Sequence, residues 1–188
     1  MADAVVRVQV TGCGGLRQQR ATGVALGDGS LVATVAHTFT EAEAVEVRHG
    51  ERTLGAQVVW LDADHDVALL GLTGGGVLPA LPLGDAPDGA EVTVTTAAAD
   101  AVAAKPATVL RHVDATLDGT GRRAALEIAA EIEAGDSGAP VTDDDGELIG
   151  IVFAASRDGD DRGWVVAAEE LRDALARPHA PVALTCAT

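Results

Sequence analysis

The chain has no tyrosine, two phenylalanines, two tryptophans and one methionine. Its core therefore has to be built from Val, Leu, Ile and Ala, and the β-branched members of that set pack well on pleated sheets. Lysine is almost missing: Lys105 stands beside twelve arginines, which disfavours a serine–lysine catalytic pair. No apolar run approaches the roughly 20 residues of a membrane-spanning helix. No basic start leads into an apolar stretch, so no signal peptide is visible. There is no internal repeat. Two cysteines, Cys13 and Cys186, are too few for a structural zinc site. Positive charge is scarce, and the formal net charge is −16. Such a surface repels nucleic acid and anionic lipid, so neither is expected as a partner.

What is present is a chain of 188 residues that is 47% hydrophobic, enough for one core or two small packed barrels. Short Val-rich runs predict strands at 4–11, 22–26, 31–34, 44–48, 56–61 and 67–72. A Gly- and Pro-rich stretch at 73–87 separates them from a second set at 91–96, 104–113, 123–128, 139–142, 147–154 and 164–167. Residues 169–177 are polar with helically spaced leucine and stop before Pro178, which predicts a helix. The expected fold is all-β: two packed six-stranded antiparallel barrels with a C-terminal helix. It forms one domain over 1–188, with barrels at about 4–87 and 88–168, the helix at 169–177 and a tail at 178–188. The run Asp143-Asp144-Asp145-Gly146 reads as a solvated hairpin turn rather than a calcium site, and the acidic loop 157–162 reads the same way.

The segment Glu133-Ala134-Gly135-Asp136-Ser137-Gly138-Ala139-Pro140 carries one of only three serines. Glycines on both sides let Ser137 sit on a sharp turn, where its own N–H and that of Gly135 can face a developing oxyanion. Taken alone, the segment is also ordinary turn chemistry. A base and an acid stand upstream. His37 ends the apolar run 31–36, and Asp66 directly precedes the apolar run 67–70. The order His37, Asp66, Ser137 is that of the chymotrypsin triad.

Ala36-His37-Thr38, Asp66-Val67-Ala68-Leu69-Leu70 and Gly135-Asp136-Ser137-Gly138-Ala139-Pro140 together resemble the chymotrypsin/trypsin-fold serine proteases, in the bacterial HtrA-like branch. Val152-Phe153-Ala154-Ala155, Asp158-Gly159-Asp160-Asp161, Gly163-Trp164-Val165 and the tail Pro181-Val182 to Cys186 are similar to mycobacterial acid-resistance membrane serine proteases. The resemblance implies a serine endopeptidase acting on protein or peptide substrates through an acyl-enzyme, with no metal or organic cofactor. Ser137 is then the nucleophile, His37 the general base, Asp66 its orienting acid, and Gly135 and Ser137 the oxyanion hole. A catalytically weak binding or scaffold module on the same fold is the alternative. A lipase-type elbow is absent, because Ala139 stands where its last glycine belongs.

The resemblance also puts Glu131, Ile132, Ala134, Phe153 and Ala155 around the specificity pocket. Glu131 could select a basic P1 residue, or it could face solvent while Ile132 shapes a small apolar pocket; the second reading is preferred. Cys13 and Cys186 are either unrelated thiols or one disulfide, and the tail resemblance favours the disulfide. An extracytoplasmic location follows, with a role in stress response or envelope-protein processing and a membrane anchor outside this chain. Three departures stand out. Ala139 replaces a glycine, Thr38 replaces a cysteine, and no Ile-Val-Gly-Gly activation sequence exists. Asp136 therefore lacks the new N-terminal ammonium that zymogen-activated relatives supply: either another partner holds it, or the oxyanion loop is inactive at rest.

Overall fold

The structure, a computed structural model, describes residues 2–15, 18–97, 101–117, 120–158 and 160–186. Gly159 of the expected acidic loop lies outside the described residues. Six antiparallel strands close the first barrel: β1 (Val5–Gly12), β2 (Gln18–Leu26), β3 (Leu31–Thr34), β4 (Ala42–His49), β5 (Arg52–Asp62) and β6 (Val67–Leu72). Their spatial order is β1-β2-β3-β6-β5-β4. Alternation in β1 sends Val6, Val8 and Val10 inward, where they meet Ala25, Val32, Val47, Val58 and Leu70. Aliphatic side chains fill the interior, and among the described residues Phe39 is the only aromatic one in it.

The second barrel is β7 (Glu91–Thr96), β8 (Ala103–Leu117), β9 (Thr120–Ala129), β10 (Pro140–Thr142), β11 (Leu148–Ala155) and β12 (Arg162–Ala167), in the order β10-β11-β12-β9-β8-β7. β5 and β8 run longer than their apolar patterns predict. The additions, such as His49↔Arg52 and Asp114↔Ala124, are held by hairpin ladders rather than by burial, so hydrophobic alternation does not mark them. Pro106 is accommodated inside β8 because the ladder to β9 begins only at Thr108. The turn after β10 forms as predicted: Asp143 Oδ1 accepts the Asp145 and Glu147 N–H groups.

A third apolar layer joins the barrels. Val24, Leu26, Val35, Val67 and Leu69 of the first pack with Leu148, Ile151, Phe153 and Val166 of the second, and Leu171 and Ala174 of α1 (Ala168–Ala176) close the layer. The helix stops at Arg177, which is extended as the residue before a proline prefers. Among the described residues, no helix is long and apolar enough to cross a membrane. The tail returns to the first barrel: Ala180 N donates to Val59 O at 3.1 Å and Val182 N to Val58 O at 2.8 Å. Leu184 packs on that barrel's core, and Cys13 and Cys186 are joined by a disulfide with Cα atoms 5.6 Å apart.

This bond closes a loop across a sequence separation of 173. The Cys13→Ser/Cys186→Ser protein should lose on the order of 2–5 kcal/mol in denaturant unfolding relative to the oxidised protein. Wild type under reducing conditions should fall to the same value.

Candidate active site

Val35 is extended, and the chain after it tightens into a 3₁₀ turn, Ala36–Phe39, that carries His37. Asp66 lies across the start of that turn. Its backbone is left-handed, with φ 58°, a conformation that aspartate tolerates better than most residues. The conformation lets one residue hold the turn at several points. Asp66 O accepts the Ala36 N–H at 3.3 Å, Oδ1 accepts the His37 N–H at 2.8 Å, and Oδ2 lies 2.8 Å from His37 Nδ1. Asp66 is buried, while the His37 ring is about one-third exposed. With Nδ1 committed as donor to a carboxylate, the neutral ring keeps Nε2 as its acceptor.

The buried Arg123 of β9 lies behind this pair. Its Nη1 is 3.7 Å from Asp66 Oδ2, and its guanidinium carbon sits 5.2 Å from the Phe153 ring centroid. The positive charge offsets the burial of Asp66 and rests on an aromatic face. His65 anchors the turn at 62–66 that carries Asp66. Its Nδ1 is 2.8 Å from Asp62 Oδ2 and its Nε2 is 3.9 Å from Glu170 of α1. Burial pulls the His65 pKa down, but the hydrogen bond and charge of Asp62, with the charge of Glu170, outweigh it and leave the pKa above the ordinary value.

Ser137 lies at the junction of the barrels. Asp136 N donates to Glu133 O at 3.1 Å, and Gly135 has φ 99°. A positive φ at the third position marks a type II turn and sets which way the Ala134–Gly135 peptide faces. The next residues are held across the barrel boundary. Thr22 N donates to Ser137 O at 2.8 Å, and Thr22 Oγ1 donates to Gly135 O at 3.2 Å while accepting from Ala97 N at 3.0 Å. Thr34 Oγ1 donates to Thr22 O at 2.8 Å. Gly138 has φ 81°, and a Cβ there would lie 2.0 Å from Thr22 O and 2.5 Å from Thr34 Oγ1. β3 thus carries Thr34 against Gly138 and, one short turn later, His37. Ala139 needs no left-handed backbone, so its replacement of glycine is accommodated.

The expected pocket residues divide. Phe153 and Ala155 line a cleft of about 760 Å³ between β8 and β11, together with Val113 and Trp164. Glu131 and Ala134 are exposed and lie outside that lining, as does Ile132. Ile132 is half-buried against Gly163, where a Cβ would come within 2.5 Å of Ile132 Cγ1. Asp136 is buried, and its Oδ2 accepts Glu133 N at 2.9 Å and Lys105 Nζ at 3.0 Å. Among the described residues, no group of three or more His, Cys, Asp or Glu side chains is placed to hold a metal ion. Sequence reasoning missed Thr22, Thr34, Lys105 and Arg123. All four sit inside strands, where nothing local separates them from ordinary sheet residues.

The family described as trypsin-like peptidase domain matches residues 21–151. Serine protease Rv3671c of Mycobacterium tuberculosis (strain H37Rv) is 32% identical, over 78% of this chain and 39% of that protein. The chain therefore spans about two-fifths of the length of this curated relative. The crystal structure of the M. tuberculosis Rv3671c protease in its active form superposes with a TM-score of 0.88 at 26% identity, covering 98% of this chain and 86% of that one. The inactive form gives 0.79 at 28% identity, with coverage of 93% and 88%. The HtrA-type protease AlgW with a tripeptide shares the fold, with a TM-score of 0.81 at 21% identity, covering 93% of this chain and 59% of that one.

Two substitutions probe how the site is held. Gly138→Ala should cost about 1–3 kcal/mol from backbone strain alone, read by denaturant unfolding. His65→Gln should lower Tm at pH 5.5 and much less at pH 9. A raised folded-state pKa gives stability that is present below the unfolded histidine value of about 6.5 and lost as pH climbs through the folded one.

Proposed function

The chain belongs to the trypsin-like peptidase domain family, and from that premise we propose that it is a serine endopeptidase with His37, Asp66 and Ser137 as its catalytic triad. The observation that carries this reading is the pair of hydrogen bonds from His37, through its backbone N–H and Nδ1, to the two carboxylate oxygens of Asp66, beside a serine turn pinned to the same strand. Asp66 holds the ring so that Nε2 takes the Ser137 Oγ proton as Oγ attacks the peptide carbonyl. The Gly135 and Ser137 N–H groups receive the developing oxyanion, and His37 then protonates the leaving amine. Water, activated by the same imidazole, releases the acyl group. The left-handed Gly135 supports a turn already set for this role, as does the higher overall similarity to the relative's active form than to its inactive form.

The two barrels and helix act as one catalytic unit. Substrate lies in the cleft lined by Phe153 and Ala155, extended along β11. A small aliphatic P1 residue suits the packing of Ile132 on Gly163, and the exposed Glu131 supplies no buried acid for a basic one. The disulfide supports an oxidising, extracytoplasmic setting, where the enzyme would process or degrade envelope proteins under stress.

A fluorophosphonate probe should label wild type at Ser137 and leave Ser137→Ala unlabelled. Asp66→Asn should lower kcat by about 10⁴, measured per folded molecule because the buried Arg123 loses its carboxylate and the variant is less stable. A folded, oxidised wild type that takes no label between pH 5 and 8 would mark a binding module instead.

A further inference from the structure

Lys105, the chain's only lysine, reaches the nucleophile's turn through a buried carboxylate, and among the described residues no other cation is paired with it. An ammonium has three N–H donors, and three acceptors surround Nζ: Glu133 Oε2 at 2.9 Å, Asp136 Oδ2 at 3.0 Å and Glu131 O at 3.3 Å. All three belong to the segment leading into Ser137. The lysine is itself firmly placed. It faces Val94 across the β7–β8 ladder, and Pro106 after it confines its backbone to the extended region. Its side chain is 25% exposed, whereas that of Asp136 is 4% exposed. Burial pulls the ammonium's pKa down, but the hydrogen bonds and charges of Glu133 and Asp136 overcome this and hold it above lysine's ordinary value.

We propose that Lys105 is a positioning residue: an internal ammonium that neutralises Asp136 and so keeps the turn at 133–136 in the form that aims the Gly135 N–H at the oxyanion. It takes the place of the new N-terminal ammonium of zymogen-activated proteases, and the turn needs no chain cleavage to form. Asp136 Oδ2 also accepts the Glu133 N–H that opens the turn, so the carboxylate cannot leave without undoing it. With Lys105 removed, the buried charge is uncompensated. Asp136 then takes up a proton or swings to solvent, and the turn is released in either case. Arginine is a poor substitute, because its planar fork does not match one carbonyl and two carboxylates arranged around a point charge.

The inference rests on Ser137 being the nucleophile, and fluorophosphonate labelling separates the two claims. In the full chain, Lys105→Met should lower the maximal labelling rate at least tenfold while the half-saturating probe concentration changes less than threefold. Lys105→Arg should recover part of the rate. Lys105→Met/Asp136→Asn should label faster than Lys105→Met, because the unpaired charge is gone. A Lys105→Met rate within twofold of wild type overturns the inference, and an unlabelled wild type overturns the Ser137 reading instead. A measurement without substitution covers the case in which Lys105→Met does not fold. With [¹³Cε]lysine the wild type gives a single side-chain resonance. By reciprocity of linkage, its pKa should rise when Ser137 carries a phosphonate adduct; identical titrations of free and adduct forms overturn the inference.

Discussion

A carboxylate sits at position 136, beside the serine, and is almost wholly out of water. An ionised group in such a place is tolerable only with a cation and N–H donors around it. Lys105 and the Glu133 N–H supply them, and that requirement shapes what surrounds Ser137. The turn closes on the Asp136 N–H, Gly135 takes the left-handed conformation the turn demands, and the Asp136 carbonyl receives the Ala139 N–H as the chain enters β10. The serine turn is thus fixed from within the second barrel by one charge pair and from the first barrel by Thr22 and Thr34. His37 and Asp66 come from the first barrel alone, so the threonine contacts across the boundary bring the two halves of the site into one register.

The same logic of buried acids and private partners recurs. Asp66 has His37 and, behind it, Arg123. Glu127, also buried, lies 2.5 Å from Arg111 Nε and 2.5 Å from Arg162 Nη1. The hydrogen bond from Arg111 holds its pKa below the ordinary carboxylate range, against the opposing pull of burial and with added help from Arg162. Acids far outnumber bases in this chain, yet these three buried ones each keep a cation close by. The excess negative charge is left to the surface, where water screens it.

The sequence makes His37, Asp66 and the segment around Ser137 conspicuous because His37 ends one apolar run, Asp66 precedes another, and Ser137 is one of three serines and lies between glycines. The approximate strand positions and the C-terminal helix follow from the same alternation and breakers, whereas the order of the strands in each barrel does not. Lys105, Thr22, Thr34 and Arg123 leave no such mark. Thr22 reads as a residue of good β-propensity, and its contact with Ser137 exists only through the docking of one barrel on the other. Lys105 is noticeable for its rarity, but its partners lie more than 25 residues away, and only the β7–β8 register aims it at them. The Cys13–Cys186 bond could be inferred only through the tail resemblance, because two cysteines near opposite ends carry no geometric information until the tail is seen returning along β5.

The central claim is that Ser137 faces an oxyanion site already formed by its own N–H and that of Gly135. A crystal structure of the protein soaked with an aliphatic peptide boronate tests it most directly. The account predicts a bond from Ser137 Oγ to boron, one boronate oxygen within hydrogen-bonding distance of both N–H groups, His37 Nε2 beside the other, and the 133–136 turn unchanged with Lys105 still on Asp136. A boronate bonded to Ser137 with the Gly135 N–H turned away, or no adduct at a concentration that saturates related proteases, would contradict it.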